Sequence, residues 1–326
     1  MILAQYDNEG QKLRQFGQKA FPNDSFMGVK EPFTSSPCRM EISGDIIAVY
    51  FARTIFKDFD GVNHQASYGF ILRLDSFEKI TGMVDSDMAY ASHSFNQFVL
   101  PINGDGFIIA NQGDASPRAF TFKNTLNERG INSFDFVGEY GENATFAQMG
   151  GLAKTSTGYI FAGTYERGRT TSPMYTLQDN AMSRNVFIIK FDDNMEKCSE
   201  PVWITDYTNA ETQNAAHPKI VELDEGRYFL MWEYSKGMDG NSRAENDISG
   251  PVYYTVIDEN GDALTTITEL PGVKLSSDDV LRYNPKTGCV QWAVGGTERT
   301  GDANIFTIYS FNPNAPLSAS VSKINE

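Results

Sequence analysis

Five short apolar runs, each opened by a glycine in a turn, recur along the chain and constrain its fold more than any other feature. They are GDIIAVYFA from Gly44, GDGFIIANQ from Gly104, GYIFAGTY from Gly158, GRYFLMWEY from Gly226 and GCVQWAVGG from Gly288. Successive glycines are 60, 54, 68 and 62 residues apart. A motif that returns at a similar spacing predicts one structural unit built several times.

Each run has strand-like neighbours on both sides. A second apolar run follows it after a loop: SYGFILRLD, RAFTFKN, NVFIIKFDD, VYYTVIDENG and NIFTIYSFN. A shorter strand precedes it: PCRMEIS, NQFVLPI, MGGLAKT, HPKIVEL and DVLRYNP. Segments such as FEKITGM and ALTTITEL supply a fourth, outer strand. The pattern therefore predicts four antiparallel strands per unit.

Continuous apolar runs indicate strands that are covered on both faces, as in sheets stacked around an axis. We therefore predict an all-β fold, a β-propeller of four-stranded antiparallel blades, as one domain over residues 1–326. Two β-sandwiches in tandem are the alternative. The segment 2–16 resembles a third-and-fourth-strand hairpin that completes or opens a blade. Six blades are preferred, and five with an extra hairpin remain the alternative.

Charge, apolar patterning and cysteine content restrict the function. The 27 basic and 42 acidic residues give a net charge of −15, which argues against nucleic acid as a partner. No apolar run is long enough to span a membrane. Three widely spaced cysteines indicate neither a disulfide scaffold nor a zinc site, and we expect buried free thiols. The composition suits a secreted or cell-surface protein whose leader has been removed, whereas a native start at Met1 would mean the cytoplasm.

Polar residues cluster before first strands and in loops between second and third strands. In a propeller, both places lie on the face where the central channel opens, so we expect these side chains to form a ligand-binding cluster. The candidates are His64, Gln65, His93, Asn96, Gln97, Asp114, Arg118, Arg184, Asn185, His217, Lys219, Asp278, Asp279 and Asp302.

The three histidines, His64, His93 and His217, have three interpretations. They could ligate a metal, although no HxH or HxxxH spacing favours one. One of them could act as a general acid or base. The third interpretation, which we prefer, is that they satisfy backbone groups of the loops. Asp114 and Arg118 could likewise orient an anionic or sugar ligand, but bracing of their own loop is preferred.

The sequence predicts no cofactor. Asp- and Asn-rich turns at Tyr6, Phe191 and Ile257 faintly suggest calcium but lack its full loop pattern, and hairpin turns explain them. A transition metal at the histidines is the other alternative.

Four segments resemble uncharacterised bacterial propeller-like domains that are often exported: DGVNHQAS, SHSFNQF with GDASPR, GGLAKTSTGYIFAGT and HPKIVELDEGRYFLMWE. The resemblance covers about positions 36 to 310. It implies architecture and an exported location, and it provides no catalytic residue.

The main hypothesis is a non-catalytic binding module of a secreted or surface protein, which holds a glycan, peptide or protein on the channel face. The alternative is a propeller glycoside hydrolase or lyase that acts on a polysaccharide, with acids drawn from Asp114, Asp279, Asp302 and Glu233. A scaffold that uses its sides or opposite face is a third hypothesis.

Overall fold

A computed structural model describes most of the chain as strands and turns. The described residues are 2–17, 34–55, 64–80, 90–92, 94–102, 106–113, 120–124, 132–134, 148–167, 183–209, 212–224, 226–235, 250–276, 279–300, 303–315 and 320–325. They divide into two compact units, Met1–Glu142 and Asn143–Glu326.

Unit 1 contains one hairpin and two four-stranded antiparallel sheets. The hairpin pairs β1 (Ile2–Tyr6) with β2 (Lys12–Gly17). Sheet 1 consists of β3 (Thr34–Ser43), β4 (Ile46–Ile55), β5 (His64–Arg73) and β6 (Tyr90–Ser92). Sheet 2 consists of β7 (Ser94–Ile102), β8 (Gly106–Gly113), β9 (Phe120–Asn124) and β10 (Asn132–Phe134).

Unit 2 contains three four-stranded antiparallel sheets. Sheet 3 consists of β11 (Gln148–Lys154), β12 (Gly158–Glu166), β13 (Arg184–Asp192) and β14 (Val202–Trp203). Sheet 4 consists of β15 (Asn214–Asp224), β16 (Arg227–Ser235), β17 (Val252–Asp258) and β18 (Thr268–Leu270). Sheet 5 consists of β19 (Arg282–Asn284), β20 (Cys289–Thr300), β21 (Ala303–Phe311) and β22 (Ser320–Asn325).

The predicted repeat is confirmed sheet by sheet. The five glycine-led runs form the second strands β4, β8, β12, β16 and β20, and each pairs on one side with a first strand and on the other with a third. Where their side chains are described, β4, β8 and β12 are buried on both faces, as the continuous apolar pattern predicted, and so is β16 from Tyr228 to Glu233. In β20 one face, with Val290, Trp292 and Val294, is buried, whereas Gln291 and Ala293 on the other face are half-buried. The described residues thus form five four-stranded sheets and one two-stranded hairpin.

Within each unit, sheets pack face to face. In unit 1, one face of β4, carrying Ala48 and Tyr50, packs against Val99 and Ile109 of sheet 2. In unit 2, one face of β16, carrying Leu230 and Trp232, packs against sheet 3, and the other, carrying Phe229 and Met231, packs against sheet 5. This face-to-face packing explains why the second strands are the most apolar parts of the chain.

A β-bulge interrupts the beginning of four first strands. The extra residues fall between Ser36 and Cys38 in β3, between Ser94 and Asn96 in β7, between Met149 and Gly151 in β11, and between Ala216 and Lys219 in β15. A bulge bends its strand and redirects side chains, so each of these strand ends presents residues that regular alternation would turn elsewhere.

The cysteines differ from expectation. All three are free, but Cys38 and Cys198 are exposed and Cys289 is half-buried. Cys38 follows the bulge within β3, Cys198 lies in the turn after β13, and Cys289 is the first residue of β20. The prediction of buried thiols was therefore wrong. No helix long and apolar enough to cross a membrane occurs in the described part of the chain.

Candidate functional site

Unit 2 has a layer of buried polar side chains at one end of sheets 3 and 4. They occupy the beginnings of β11, β13 and β15 and the ends of β12 and β16, which antiparallel pairing brings to the same end of each sheet. We call this layer the polar end: Gln148, Thr164, Glu166, Ser183, Arg184, Asn185, Asn214, His217, Lys219 and Glu233. Buried polar groups are costly unless bonded, so their concentration here calls for an explanation.

His217 occupies the bulge of β15 in an unusual backbone conformation. Its φ is +48°, in the left-handed region that few residues other than glycine adopt. The following residue is Pro218, which disfavours helical conformations in the residue before it and so adds to the constraint. The bulge places His217 and Pro218 between the pairs Ala216–Glu233 and Lys219–Met231. Such strain persists only where the surroundings hold it, and it concentrates at functional sites.

Two side chains hold His217 in place. Its backbone N–H donates to Oε1 of Gln148 at 2.8 Å, which ties sheet 4 to sheet 3. Its ring Nδ1 lies 3.0 Å from Oε2 of Glu233. Both side chains of this pair are buried, with relative exposures of 9% for His217 and 3% for Glu233. A carboxylate at Nδ1 fixes the ring orientation and favours the tautomer with the proton on Nδ1.

The other ring nitrogen, Nε2 of His217, is buried and has no hydrogen-bond partner among the described residues. Thr164 Oγ1 in β12 and Ser183 Oγ, just before β13, are likewise buried without a hydrogen-bond partner among the described residues. With the proton on Nδ1, Nε2 carries a lone pair that can accept a hydrogen bond or a proton. The polar end therefore contains hydrogen-bonding atoms that have no partner among the described residues, and a ligand or a water molecule is what usually satisfies such atoms.

Close backbone packing positions the bulge against sheet 3. A Cβ on Gly150, in the bulge of β11, would lie 3.0 Å from the carbonyl carbon and oxygen of Pro218 and 2.9 Å from the carbonyl oxygen of Ala162. Only glycine allows this approach. The two bulges thus contact each other directly, and the position of His217 depends on the shape of β11.

A second group of bonds stiffens the strand ends behind His217. Asn214 Oδ1 accepts from the backbone N–H of Arg184 at 3.0 Å. Asn185 Oδ1 accepts from Thr205 Oγ1 at 2.9 Å and from the backbone N–H of Tyr207 at 2.7 Å. These side chains replace backbone ladder bonds where the strands diverge.

Tyr207 is tied to the buried core by its hydroxyl, which accepts from Trp232 Nε1 at 3.2 Å. Burial raises the pKa of Tyr207, and the nearby Tyr253 and Tyr234 raise it further, against the lowering effect of the Trp232 hydrogen bond. The hydroxyl is therefore neutral near physiological pH and serves as a fixed polar group.

Of the predicted cluster, unit 2 brings together Arg184, Asn185, His217 and Lys219 at the polar end. His217 lies inside β15 rather than just before it, because the bulge extends pairing to Asn214. Lys219 pairs with Met231, and so shares the face of sheet 4 on which Glu233 lies two residues along. Asp279 lies three residues before β19, and its Oδ2 accepts from the backbone N–H of Ala293 in β20.

In unit 1, Gln97 is buried in β7 and pairs with Asn111, whose Oδ1 accepts from Tyr50 Oη at 2.7 Å. The backbones of His64 and Gln65 begin β5 opposite Ile55 and Thr54, and that of Asn96 lies in β7. The side chains of these last three lie outside the described residues. So do His93, Asp114, Arg118, Asp278 and Asp302 as a whole.

Sequence reasoning named Glu233 only as a candidate acid and missed Gln148, Thr164 and Glu166. Gln148 accepts a hydrogen bond from His217, 69 positions away, and no local sequence pattern predicts such a contact. A usable signal existed for Glu233, because it is an ionisable residue inside the apolar run GRYFLMWEY, where a carboxylate needs a partner.

Among the described residues, no three His, Cys, Asp or Glu side chains are grouped so as to hold a metal ion. The Asp-rich turns use their carboxylates differently. Oδ1 of Asp7, Asp192 and Asp258 each accepts two backbone N–H groups of its own turn.

Comparison with known proteins gives fold likeness without sequence relationship. No family model matches the chain, and no curated protein matches it. An α-L-arabinanase from Penicillium chrysogenum, solved in complex with arabinobiose, aligns with a TM-score of 0.53 at 12% identity, over 89% of this chain and 80% of the arabinanase chain. A protein of unknown function from Dyadobacter fermentans aligns with a TM-score of 0.52 at 11% identity, over 90% of this chain and 95% of its own.

A thermostable family-43 glycoside hydrolase aligns with a TM-score of 0.43 at 10% identity, over 93% of this chain and 91% of its own. The arabinanase is a β-propeller enzyme. The class of fold predicted from the repeat is therefore the same as the class of fold of this arabinanase. At such identities the likeness concerns the fold alone.

Proposed function

We propose that this protein acts on a polysaccharide, as a β-propeller glycoside hydrolase or lyase, and that the polar end of unit 2 contributes to the site. The observation that carries the proposal is the buried His217–Glu233 pair, 3.0 Å apart, with Nε2 of His217 unpartnered among the described residues. A carboxylate-oriented imidazole with a free nitrogen is suited to general acid–base work or to binding a sugar hydroxyl.

The other ionisable groups at the polar end are of the residue types that either reaction uses. Glycosidases need two carboxyl groups about 5 to 10 Å apart, and Glu166 is a second buried carboxylate at the polar end. A lyase needs a base and a positive charge near the substrate carboxylate, and Arg184 and Lys219 are buried at the same end. The fold likeness to an arabinanase supports a glycan as the ligand. We further propose that the protein is exported to reach it.

The test is a panel of plant and bacterial polysaccharides that includes arabinan, xylan and polygalacturonate. New reducing ends without ultraviolet-absorbing products indicate a hydrolase, and both together indicate a lyase. We expect Glu233→Gln and His217→Asn each to lower turnover by about 10² to 10⁴, the range for loss of one acid–base group. Glu196→Gln removes an exposed carboxylate of unit 2 and serves as the matched control. If all three variants turn over substrate at the wild-type rate, the polar end is excluded from catalysis.

The second candidate is a non-catalytic module that binds a glycan, peptide or protein. It is favoured by the engagement of carboxylates with the protein itself, Glu233 with His217 and Asp279 with the backbone of Ala293. Retention of the protein on an immobilised polysaccharide, without release of any product over long incubation, would support this candidate over the enzyme.

A further inference from the structure

The β1–β2 hairpin has the same turn as the outer strands of sheets 3 and 4. In all three turns an Asp accepts from the N–H groups two and four residues on, at Asp7, Asp192 and Asp258. The residue three after each Asp has positive φ: Gly10 at 80°, Met195 at 62° and Gly261 at 89°. In sheets 3 and 4 this turn joins the third strand to the fourth. The hairpin is therefore built as the outer half of a four-stranded sheet.

The hairpin also packs like the outer half of a preceding sheet. In unit 2 the turn of sheet 4 lies on the third and fourth strands of sheet 3, where a Cβ on Gly261 would be 2.6 Å from Ile188 and 3.1 Å from Val202. In unit 1 the turn of sheet 1 lies on the second strand of the hairpin: Arg14 covers the ring of Phe77 at 5.8 Å and bonds the carbonyl oxygen of Leu74. In each unit, then, the turn of one sheet contacts the last strand of the sheet or hairpin that precedes it in the chain.

The inner half is missing among the described strands. The third strands β13 and β17 each pair with a second strand, β12 and β16, along the edge away from the fourth. The corresponding edge of β1 pairs with no described strand, because the hairpin is a two-stranded sheet. All five glycine-led second strands are already paired in their own sheets.

The face of sheet 1 that packs against the hairpin is covered only in part. Leu3 and Phe16 of the hairpin pack on the face that carries Val49, Phe70 and Phe77. Met40 and Ile42 of the first strand β3 pair with Val49 and Ile47, so they lie on this same face. They are 46% and 49% exposed, although their partners are buried. Within the described part of the chain, the hairpin covers the outer part of this face, and Met40 and Ile42 on the inner part, next to the edge of β1 that meets no described strand, are left exposed.

We propose that a partner polypeptide adds an apolar β-hairpin here, pairing one strand antiparallel to the edge of β1 that meets no described strand and covering Met40 and Ile42. This is strand addition at a sheet edge, in which backbone bonds give affinity and side-chain contacts give specificity. The occupant resembles the first two strands of a sheet in this protein, since those are the strands that the hairpin lacks. The surface lies in unit 1, so the proposal is independent of the function proposed for unit 2.

The test uses a labelled synthetic peptide with the sequence of residues 214–235, the first two strands of sheet 4, as the probe. We expect its fluorescence anisotropy to rise on titration with the whole protein, and a scrambled peptide to show no rise. The double variant Met40→Asp, Ile42→Asp should weaken binding at least tenfold, because it places charge against the apolar face. Leu264→Asp changes a residue of similar exposure in unit 2 and should leave binding unchanged.

Hydrogen exchange supplies a second readout. In the free monomer, the β1 amides that do not bond to β2 should exchange fast, and the peptide should slow them. Three results would overturn the proposal. The first is that the peptide does not bind the wild-type protein. The second is slow exchange of those amides in the free monomer, which would mean that the chain covers its own edge. The third is light scattering that shows a dimer with protected β1 amides, which would make a second copy the occupant.

Discussion

The backbones of Gly150 and Pro218 are in direct contact across sheets 3 and 4, with no room for a side chain at position 150. Through this contact the bulge of β11 sets the position of the bulge that carries His217. The contact is made of backbone atoms, which move less readily than side chains do.

Gly150→Ala should therefore lower the free energy of unfolding by about 1 to 3 kcal/mol, the usual cost of overpacking. The new Cβ meets Pro218 and Ala162 rather than a side chain that can rotate away. Chemical denaturation followed by tryptophan fluorescence measures the change. Gly17→Ala, where a Cβ would meet nothing within 4 Å, is the matched control and should stay near the wild-type value.

Glu233→Ala should destabilise unit 2 by about 1 to 3 kcal/mol, because it leaves the buried ring of His217 without a partner on either nitrogen among the described residues. Glu233→Gln should cost less, since the amide oxygen can still accept from Nδ1–H. Glu196→Ala, at an exposed site, should change stability by no more than about 0.5 kcal/mol. Equal losses for Ala and Gln at position 233 would show that the hydrogen bond contributes little.

Asp192→Ala should cost about 1 to 2 kcal/mol in free energy of unfolding, because Oδ1 of Asp192 accepts the backbone N–H groups of Asn194 and Glu196. Its neighbour Asp193 is exposed and provides a control of the same residue type in the same turn. Thermal unfolding should separate the two variants. If both melt at the same temperature, the side-chain bonds of the turn are not what stabilises it.

Stability should fall as the pH rises above about 10, where free tyrosines begin to ionise. Burial raises the pKa of Tyr228, and the carboxylates of Glu222 and Glu259 raise it further. Burial also raises the pKa of Tyr159, Tyr207 and Tyr254. The unfolded chain releases these protons first, so the stabilisation is complete below the unfolded pKa and is lost as the pH rises through the folded one.

Tyr228→Phe tests this linkage, because it removes one of these hydroxyls. Its hydroxyl donates to the carbonyl oxygen of Lys154 at 2.8 Å, so the variant should be less stable at neutral pH. Its loss of stability between pH 9 and 11 should be shallower than that of the wild type. Denaturant midpoints across this range give the slope, and an unchanged slope would count against Tyr228 as a contributor.

The repeat could be predicted from the sequence because its signals are local. A glycine turn followed by GYIFAGTY or GRYFLMWEY predicts a strand buried on both faces, and β12 and β16 are such strands. The segment 2–16 was predicted as a third-and-fourth-strand hairpin; β1 and β2 form a hairpin, and its Asp turn is the one found in sheet 4.

The site could be predicted only in part. His217 was identified as a candidate by its residue type and position. Its partners were not, because Gln148 reaches it through the packing of two sheets. The proline after His217 even predicts an extended conformation, whereas the bulge imposes φ of +48°. Contacts between sheets, rather than propensities along a strand, determine this geometry.

The turns closed by Asp7, Asp192 and Asp258 affect the order in which strands pair during folding. Each closes through bonds between residues no more than four positions apart, so the third and fourth strands of a sheet can meet before any distant part of the chain arrives. Hairpins of this kind form in about 1 to 10 μs, whereas pairing across long loops is much slower. The outer half of each such sheet is thus available as a template on which the inner strands then assemble.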